Sequence, residues 1–341
     1  MAGVLAWLKR NWLLVAVVVG LAILVLTNRR SFDDFVATLQ RGRVEWVIAV
    51  ALLQVVYFLT YSVLYQAAFL AVGVASRISE VLPALLASLF VNTVLPSAGL
   101  GGAAIFVEDA ERRGRPGARA AEGVVLVMAV EGVAVLPILL AGLGDLLARG
   151  MLMAYQLVGA ALYLVYVAGL AGLLFLGRLR PAYLRSLLSW AEENANWLAG
   201  RLGRRPVVRA GWAGRTADSL TRAADAILQA PRLLQRALLT GLLLEAVNLA
   251  SLYAAFQAFA QPIGLGALMA GYALGYVFSV VSFLPLDNGV MQGVMVVVYS
   301  SLGVSAGAAL AVVLTWGGFN SWLPLLLGLF FVRRFTPGQG R

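Results

Sequence analysis

The chain lacks cysteine and histidine, and Lys9 is the only lysine among its 341 residues. Without thiols or imidazoles it can form neither disulfides nor Ser-His triads, and the usual zinc and haem sites are excluded. Lys9 lies outside any glycine-rich loop, so a Walker-type nucleotide site is absent. These absences exclude the common hydrolytic and metal-dependent enzymes. We expect no enzymatic activity, no cofactor and no metal.

Charge is also scarce, since only 12% of the residues are charged, whereas 61% are hydrophobic and the mean hydropathy is +0.88. This composition predicts an all-α polytopic membrane protein. The apolar run 12–26 resembles a signal sequence, but it has no small-residue cleavage site, so we interpret it as a first transmembrane helix. Runs long enough to cross the bilayer predict six full spans, near 11–27, 44–72, 121–143, 151–176, 237–260 and 305–332.

Two further apolar segments, 81–107 and 266–303, are interrupted in the same way by proline and glycine. The first break reads Asn92-Thr-Val-Leu-Pro-Ser-Ala-Gly-Leu-Gly-Gly and the second reads Ser282-Phe-Leu-Pro-Leu-Asp-Asn-Gly-Val-Met-Gln-Gly. The distance along the chain from Pro96 to Gly114 equals that from Pro285 to Gly303. Non-helical backbone at membrane depth requires a protein or water lining. A matched pair of breaks therefore indicates a transport site built from two repeats.

The distribution of arginine predicts the topology. The connector 177–236 holds eleven arginines against four acidic residues, and basic residues also precede the first span and follow the last. All three regions become cytoplasmic only if both interrupted segments are hairpins that enter and leave on one side. We therefore expect a multi-pass protein of the cell inner (cytoplasmic) membrane with cytoplasmic N- and C-termini.

Under this topology the two hairpins enter from opposite faces, which predicts six full transmembrane helices plus two re-entrant helical hairpins in an inverted repeat. The expected organisation is one domain, 1–341, with repeat units 81–143 and 266–332 and a cytoplasmic amphipathic connector, 177–236. Proline and glycine are frequent in membrane helices, so a chance match of the two breaks is the alternative.

Polar residues inside the apolar segments are candidates for a substrate path, because ionisable groups in a bilayer are costly. The candidates are Asn92, Pro96, Gly99, Gly101, Gly102, Glu131, Glu245, Pro285, Asp287, Asn288, Gly289 and Gln292. Coupling to protons or sodium and a purely structural role are both open for the carboxylates.

The basic residues suggest recruitment of anionic lipid head groups, with anchoring and orientation as the alternative. The candidates are Arg112, Arg113, Arg201, Arg204 and Arg205. Membrane lipids are thus the expected partners; nucleic acid is not expected, and a homodimer is left open.

The residues of both breaks, together with Trp322-Leu-Pro-Leu-Leu-Leu-Gly328, resemble the lysylphosphatidylglycerol synthase transmembrane-domain family, over about residues 5 to 335. The resemblance implies that the chain moves a phospholipid, an aminoacylated lipid or a glycan-linked lipid between leaflets, as a flippase-like module without a synthase domain. The second break differs from the family pattern, because Leu286, Asp287 and Gln292 stand where two glycines and a glutamate are usual.

Two other function classes compete with a flippase or scramblase. An ion-coupled carrier of a small polar solute would share the inverted-repeat geometry. A membrane-embedded lipid-modifying enzyme is less well supported, because the chain has neither paired Asp-rich motifs nor an Asp-x-Asp loop. Access to the site discriminates between them, since a lipid path must open sideways into the bilayer.

Overall fold

The structure is a computed structural model and describes residues 41–94, 100–201, 211–282 and 287–332. This part consists of helices joined by turns and contains no strand. The helices are α1 (Val44–Ala71), α2 (Ile78–Val94), α3 (Leu100–Arg112), α4 (Gly117–Ala148), α5 (Ala154–Leu179), α6 (Pro181–Arg201), α7 (Trp212–Gln229), α8 (Pro231–Ala258), α9 (Leu265–Ser282), α10 (Asp287–Ser301) and α11 (Ala306–Val332).

Five of these helices are long and apolar enough to cross a membrane: α1, α4, α5, α8 and α11, the last over Ala306–Gly328. They confirm five of the six predicted spans. The sixth, 11–27, lies outside the described residues. The helices α2, α9 and α10 are apolar but shorter, as expected if the interrupted segments are not simple crossings.

Each interrupted segment contains two helices packed against each other, α2 with α3 and α9 with α10. Gly102 near the start of α3 lies against Asn92 near the end of α2, so the first pair is antiparallel. In the second pair, Gly271 lies against Tyr299 and Gly275 against Met295, which is again an antiparallel order. The central residues of the breaks, 95–99 and 283–286, lie outside the described residues.

Both ends of the first helix pair lie at one end of the bundle, which we call the connector end. Glu80 in the first turn of α2 forms salt bridges of 3.4 Å to Arg113 and 2.9 Å to Arg115, which follow α3. A Cβ at Gly73, just after α1, would lie 2.9 Å from the guanidinium of Arg119 in the first turn of α4. The turns 72–77 and 113–116 therefore meet at this end.

The second helix pair is attached to the opposite end, which we call the distal end. The amide of Arg43 donates a 2.9 Å hydrogen bond to the carbonyl of Ala258, so α1 begins where α8 ends. Gly266 at the start of α9 lies against Asp145 near the end of α4, and Asp145 pairs with Arg149 at 2.7 Å.

Each helix pair packs against a helix from the other half of the chain. Helix α2 packs on α11, α9 packs on α4, and α1 packs along α8. Small residues allow the backbones to approach. A Cβ at Gly142 of α4 would lie 2.6 Å from the Cα of Ala270 in α9, and one at Gly328 of α11 would collide with the carbonyl oxygen of Leu86 in α2.

The helices form two series of matching spacing, α1–α4 (the first series) and α8–α11 (the second series). The start of α8 follows the start of α1 by a number of residues that we call the repeat offset. The ends of α1 and α8 are separated by the same offset, and so are the starts of α2 and α9. The offset from α4 to α11 is greater by only two positions. The turns match as well, because Gly73 and Ala260, separated by the repeat offset, both have positive φ, as do Gly114 and Gly303.

The connector between the two series forms a helix pair of its own. Leu184 and Leu188 of α6 are buried with Ala213, Ala217 and Leu220 around α7. This small core rests on α4 and α5, and Glu122 of α4, almost fully buried, pairs with Arg222 of α7. The connector is thus fixed to the membrane-spanning helices at the connector end.

Candidate functional site: a polar core between the two helix series

Buried and partly buried polar side chains from both series meet inside the bundle, in a region that we call the polar core. It consists of three groups on α1, α4, α8, α9 and α11, and two of these groups are linked by hydrogen bonds. The members are Gln54, Tyr61, Glu131, Glu245, Asn248, Ser251, Tyr272, Trp316 and Asn320.

The first group is centred on Glu245, which is only 5% exposed. Its Oε2 accepts a 2.6 Å hydrogen bond from the hydroxyl of Tyr272 on α9. The same hydroxyl accepts a 3.0 Å bond from Nδ2 of Asn248, and Oδ1 of Asn248 accepts one of 3.1 Å from the indole of Trp316 on α11. This chain joins the carboxylate on α8 to the second helix pair.

The second group joins the two central helices. Nε2 of Gln54 on α1 donates a 3.1 Å hydrogen bond to Oγ of Ser251 on α8, and both side chains are fully buried. Oε1 of Gln54 accepts a longer bond, 3.4 Å, from Nδ2 of Asn320 on α11. Buried amides need such partners, because an unsatisfied buried polar group costs about 1–3 kcal/mol.

The third group contains the other intramembrane carboxylate. Glu131 of α4 lies close to the hydroxyl of Tyr61 on α1, and Tyr61 in turn lies beside Tyr65. The rings of Tyr57, Tyr61 and Tyr65 follow one another along α1 with centroids 5.8 and 5.2 Å apart. Tyr57 is near enough to both Glu131 and Glu245 to interact with them electrostatically, so the tyrosine stripe lies in the region of the two carboxylates.

The electrostatic character of the polar core is acidic. Neither carboxylate has an arginine among its interaction partners in the described part of the chain. Their partners there are hydroxyl groups of tyrosine. Neutral donors of this kind leave room for a cationic or hydrogen-bond-donating group to approach, whereas a salt bridge would already occupy the oxygens.

Two grooves lie on the outside of the bundle near this core. One, of about 240 Å³, lies between α4, α5 and α8 and is wholly apolar, with Ala129, Val133, Val167, Leu170, Leu234 and Leu238 in its lining. The other, of about 450 Å³, follows α8 and places Arg232, Gln235 and Arg236 above Leu239, Thr240 and Leu243. The second groove combines cationic and apolar walls.

The predicted path residues of the first break have mainly local contacts. Oδ1 of Asn92 accepts a 2.8 Å hydrogen bond from the amide of Gly102, which joins the end of α2 to the start of α3. Gly101 lies beside Gly102 in the first turn of α3. Pro96 and Gly99 lie outside the described residues.

In the second break, Gln292 lies on α10 against Gly317 of α11, and Gly289 is exposed. Asp287 and Asn288 begin α10, but their side chains lie outside what the structure describes, and so does Pro285. The contacts above bring Glu131 and Glu245 to the polar core and do not connect the other described candidates to it.

The predicted lipid-recruiting arginines that are described lie at the connector end. Arg112 pairs with Glu108 at 2.7 Å and Arg113 with Asp109 at 2.9 Å. The hydrogen bond that Arg113 donates to Asp109 raises the pKa of the Arg113 guanidinium above its ordinary value. Arg201 stacks over the indole of Trp197, 4.4 Å from its centroid. Arg204 and Arg205 lie outside the described residues.

Sequence reasoning missed the neighbours of the carboxylates, Tyr272 and Tyr61. It also missed the ion pair of the buried Glu122 with Arg222. The stripe of Tyr57, Tyr61 and Tyr65 at helical spacing was the available signal for Tyr61. No local pattern marks Tyr272, because its contact with Glu245 depends on how α9 packs.

Comparison with known proteins shows the family to which the chain belongs. No curated protein matches the chain. The family model described as the lysylphosphatidylglycerol synthase TM region matches residues 12–328, which includes every described helix except the last turn of α11. The chain is therefore a multi-pass membrane protein that belongs to the lysylphosphatidylglycerol synthase transmembrane-region family.

Proposed function

We propose that this protein translocates a lipid between the leaflets of the cytoplasmic membrane, with the head group passing the polar core and the acyl chains outside it in the bilayer. The observation that carries the proposal is the acidic polar core between α1, α4, α8, α9 and α11, in a bundle whose two antiparallel helix pairs are attached to opposite ends. A polar interior of this kind lowers the cost of bringing a head group to membrane depth.

The two helix pairs act as re-entrant hairpins of an inverted repeat. The contacts of Glu80 at the connector end and of Gly266 at the distal end support opposite entry. The matched spacing supports the repeat and extends it to α1 and α8, so that each unit contains four helices. Alternating access then follows from rocking one unit against the other.

The connector end is the cytoplasmic one, because it carries the arginine-rich connector. The described arginines at this end include Arg112, Arg113, Arg115 and Arg119, and α6 and α7 add more. Cytoplasmic N- and C-termini follow from this orientation with six full spans.

A lipid fits better than a small polar solute. The apolar groove between α4, α5 and α8 offers a lining for acyl chains, and the groove along α8 offers Arg232 and Arg236 to a phosphate with leucines below. The carboxylates and hydroxyls of the core favour a head group that brings amines or hydroxyls.

The test is a dithionite assay on proteoliposomes that contain trace amounts of fluorescent phosphatidylglycerol, phosphatidylethanolamine or lysylphosphatidylglycerol. The protein should accelerate loss of inner-leaflet fluorescence for at least one lipid. Glu245→Gln and Glu131→Gln should slow this loss several-fold, because each replaces a carboxylate of the core with a neutral amide of nearly the same shape.

Glu45→Gln is the matched control, since Glu45 is an exposed carboxylate whose partner is Arg43 at the start of α1. It should leave the rate unchanged. Absence of acceleration with every lipid, together with uptake of a small solute by the same vesicles, would contradict the proposal and favour an ion-coupled carrier.

A further inference from the structure

Helix α6 carries two apolar faces. One face, with Leu184 and Leu188, is buried in the core of the connector. The other consists of Tyr183, Leu187, Trp190 and Trp197, whose exposed fractions run from 38% to 64%. A surface helix needs only one apolar face to pack against its protein, so the second face requires another explanation.

The exposed residues form one continuous stripe. Their spacing of four, three and seven residues places them within about 80° of arc at 100° per residue. A stripe of two tryptophans, a tyrosine and a leucine combines apolar rings with polar N–H and O–H groups. Such rings are enriched at the boundary between hydrocarbon and lipid head groups.

Positive charge flanks the stripe at both ends. Arg180 immediately precedes α6 and is exposed, and Arg201 ends α6 with its guanidinium over the ring of Trp197. Arg178 and Arg185 near the first end are engaged with Asp225 and Asp218 of α7. Arginine near an anionic leaflet gains about 1 kcal/mol per residue.

The position of α6 limits what can cover this stripe. Helix α6 begins two residues after the membrane-spanning α5 ends. Its other face is fixed through α7 to α4 by the ion pair of Arg222 with the buried Glu122. The helix is therefore held at the level where α5 leaves the hydrocarbon, and the nearest apolar medium is the bilayer itself.

We propose that α6 lies in the plane of the anionic cytoplasmic leaflet, with Tyr183, Leu187, Trp190 and Trp197 in the interface and Arg180 and Arg201 at the phosphates. The aromatic stripe is then the side of the connector that faces the lipid. The leucine pattern that includes Leu184 and Leu188 in the sequence instead faces α7. The inference does not depend on lipid translocation.

The absence of cysteine allows a background-free test with the full chain in vesicles. A spin label at Leu187→Cys replaces a residue of the stripe, and one at Asn194→Cys lies at an exposed position within the same arc of α6. A label at Arg185→Cys lies on the opposite, exposed side of α6. In vesicles of phosphatidylcholine and phosphatidylglycerol, the ratio of oxygen to nickel-chelate accessibility should be several-fold higher at 187 and 194 than at 185. Without phosphatidylglycerol the ratio at 194 should fall.

Equal ratios at 187, 194 and 185 would overturn the membrane assignment. Equal ratios at 194 with and without phosphatidylglycerol would overturn the assignment of anionic lipid. Spin-spin broadening at 194 that disappears when unlabelled protein is added would show that a second copy covers the stripe, and would overturn the proposal in favour of a dimer interface. Translocation activity enters none of these readouts.

Discussion

The first and second helix series share a backbone plan but differ in their chemistry. The turn after α1 and the turn after α8 have the same hydrogen bonds, Val74 to Phe69 and Gln261 to Phe256. At matched positions inside the membrane, however, Leu85 of α2 corresponds to Tyr272 of α9, because the repeat offset separates them. The spacing of helices and turns therefore matches between the two series, whereas the residues of the polar core do not.

The same contrast holds for the carboxylates. Glu131 of α4 corresponds to Asn320 of α11 at the offset between these two helices, and its partner Tyr61 corresponds to Asn248 at the repeat offset. One series supplies an acid and a hydroxyl where the other supplies two amides. A repeat can thus fix where a polar layer lies, while substitutions in each copy decide what that layer binds.

The strongest test of the shared plan concerns two glycines at which the backbones of the two series approach each other closely. Gly142→Ala and Gly328→Ala should each destabilise the protein by about 1–3 kcal/mol, because the added Cβ meets backbone atoms in both cases. Thermal unfolding in detergent, followed by tryptophan fluorescence, measures the loss.

Gly144→Ala in α4 and Gly307→Ala in α11 are the matched controls, since a Cβ at either position meets nothing within 4 Å. They should be neutral or slightly stabilising, because alanine is the better helix former. If Gly142→Ala behaves like Gly144→Ala, the close crossing of α4 and α9 is wrong.

The asymmetry of the polar core is tested by Tyr272→Phe. This change leaves the buried Glu245 without its 2.6 Å donor and Asn248 without an acceptor, so we expect a loss of about 1–3 kcal/mol. Tyr299→Phe on α10 removes only a hydroxyl that donates to the carbonyl of Leu268 at 2.9 Å, and should cost about 1 kcal/mol. An equal loss for both, in the same unfolding assay, would contradict a special role for Tyr272.

Much of the shared plan could be predicted from sequence, because its signals are local. Apolar length predicted the five described spans, and proline and glycine singled out the two segments in which the structure has pairs of shorter helices. The chemistry of the core could not be predicted, since Glu245 meets Tyr272 only after α8 and α9 pack. The match of α1 with α8 was also hidden, because their residues differ and only their lengths and turns agree.

A smaller effect is expected from Thr315→Val in α11. The hydroxyl of Thr315 is buried without a hydrogen-bond partner in the described part of the chain, and its counterpart in α4, at the offset between these two helices, is the buried Leu126. Valine removes the unsatisfied group at almost constant volume, so stability should rise by up to about 1 kcal/mol. A loss of stability on unfolding would show that the hydroxyl is bonded.

The smallest expected effect concerns the turns after α1 and α8. Gly73 and Ala260 occupy matched positions with φ of +77° and +52°, where a side chain costs about 1–2 kcal/mol. Gly73→Ala should therefore destabilise the protein. Ala260→Gly should gain only a few tenths of a kcal/mol, because glycine also loses more freedom on folding, by about 0.5–1 kcal/mol.

Ala250→Gly, on the exposed side of α8, is the control and should cost about 1 kcal/mol. If Ala260→Gly destabilises as much as this control, Ala260 is not in the left-handed conformation and the two turns are not equivalent.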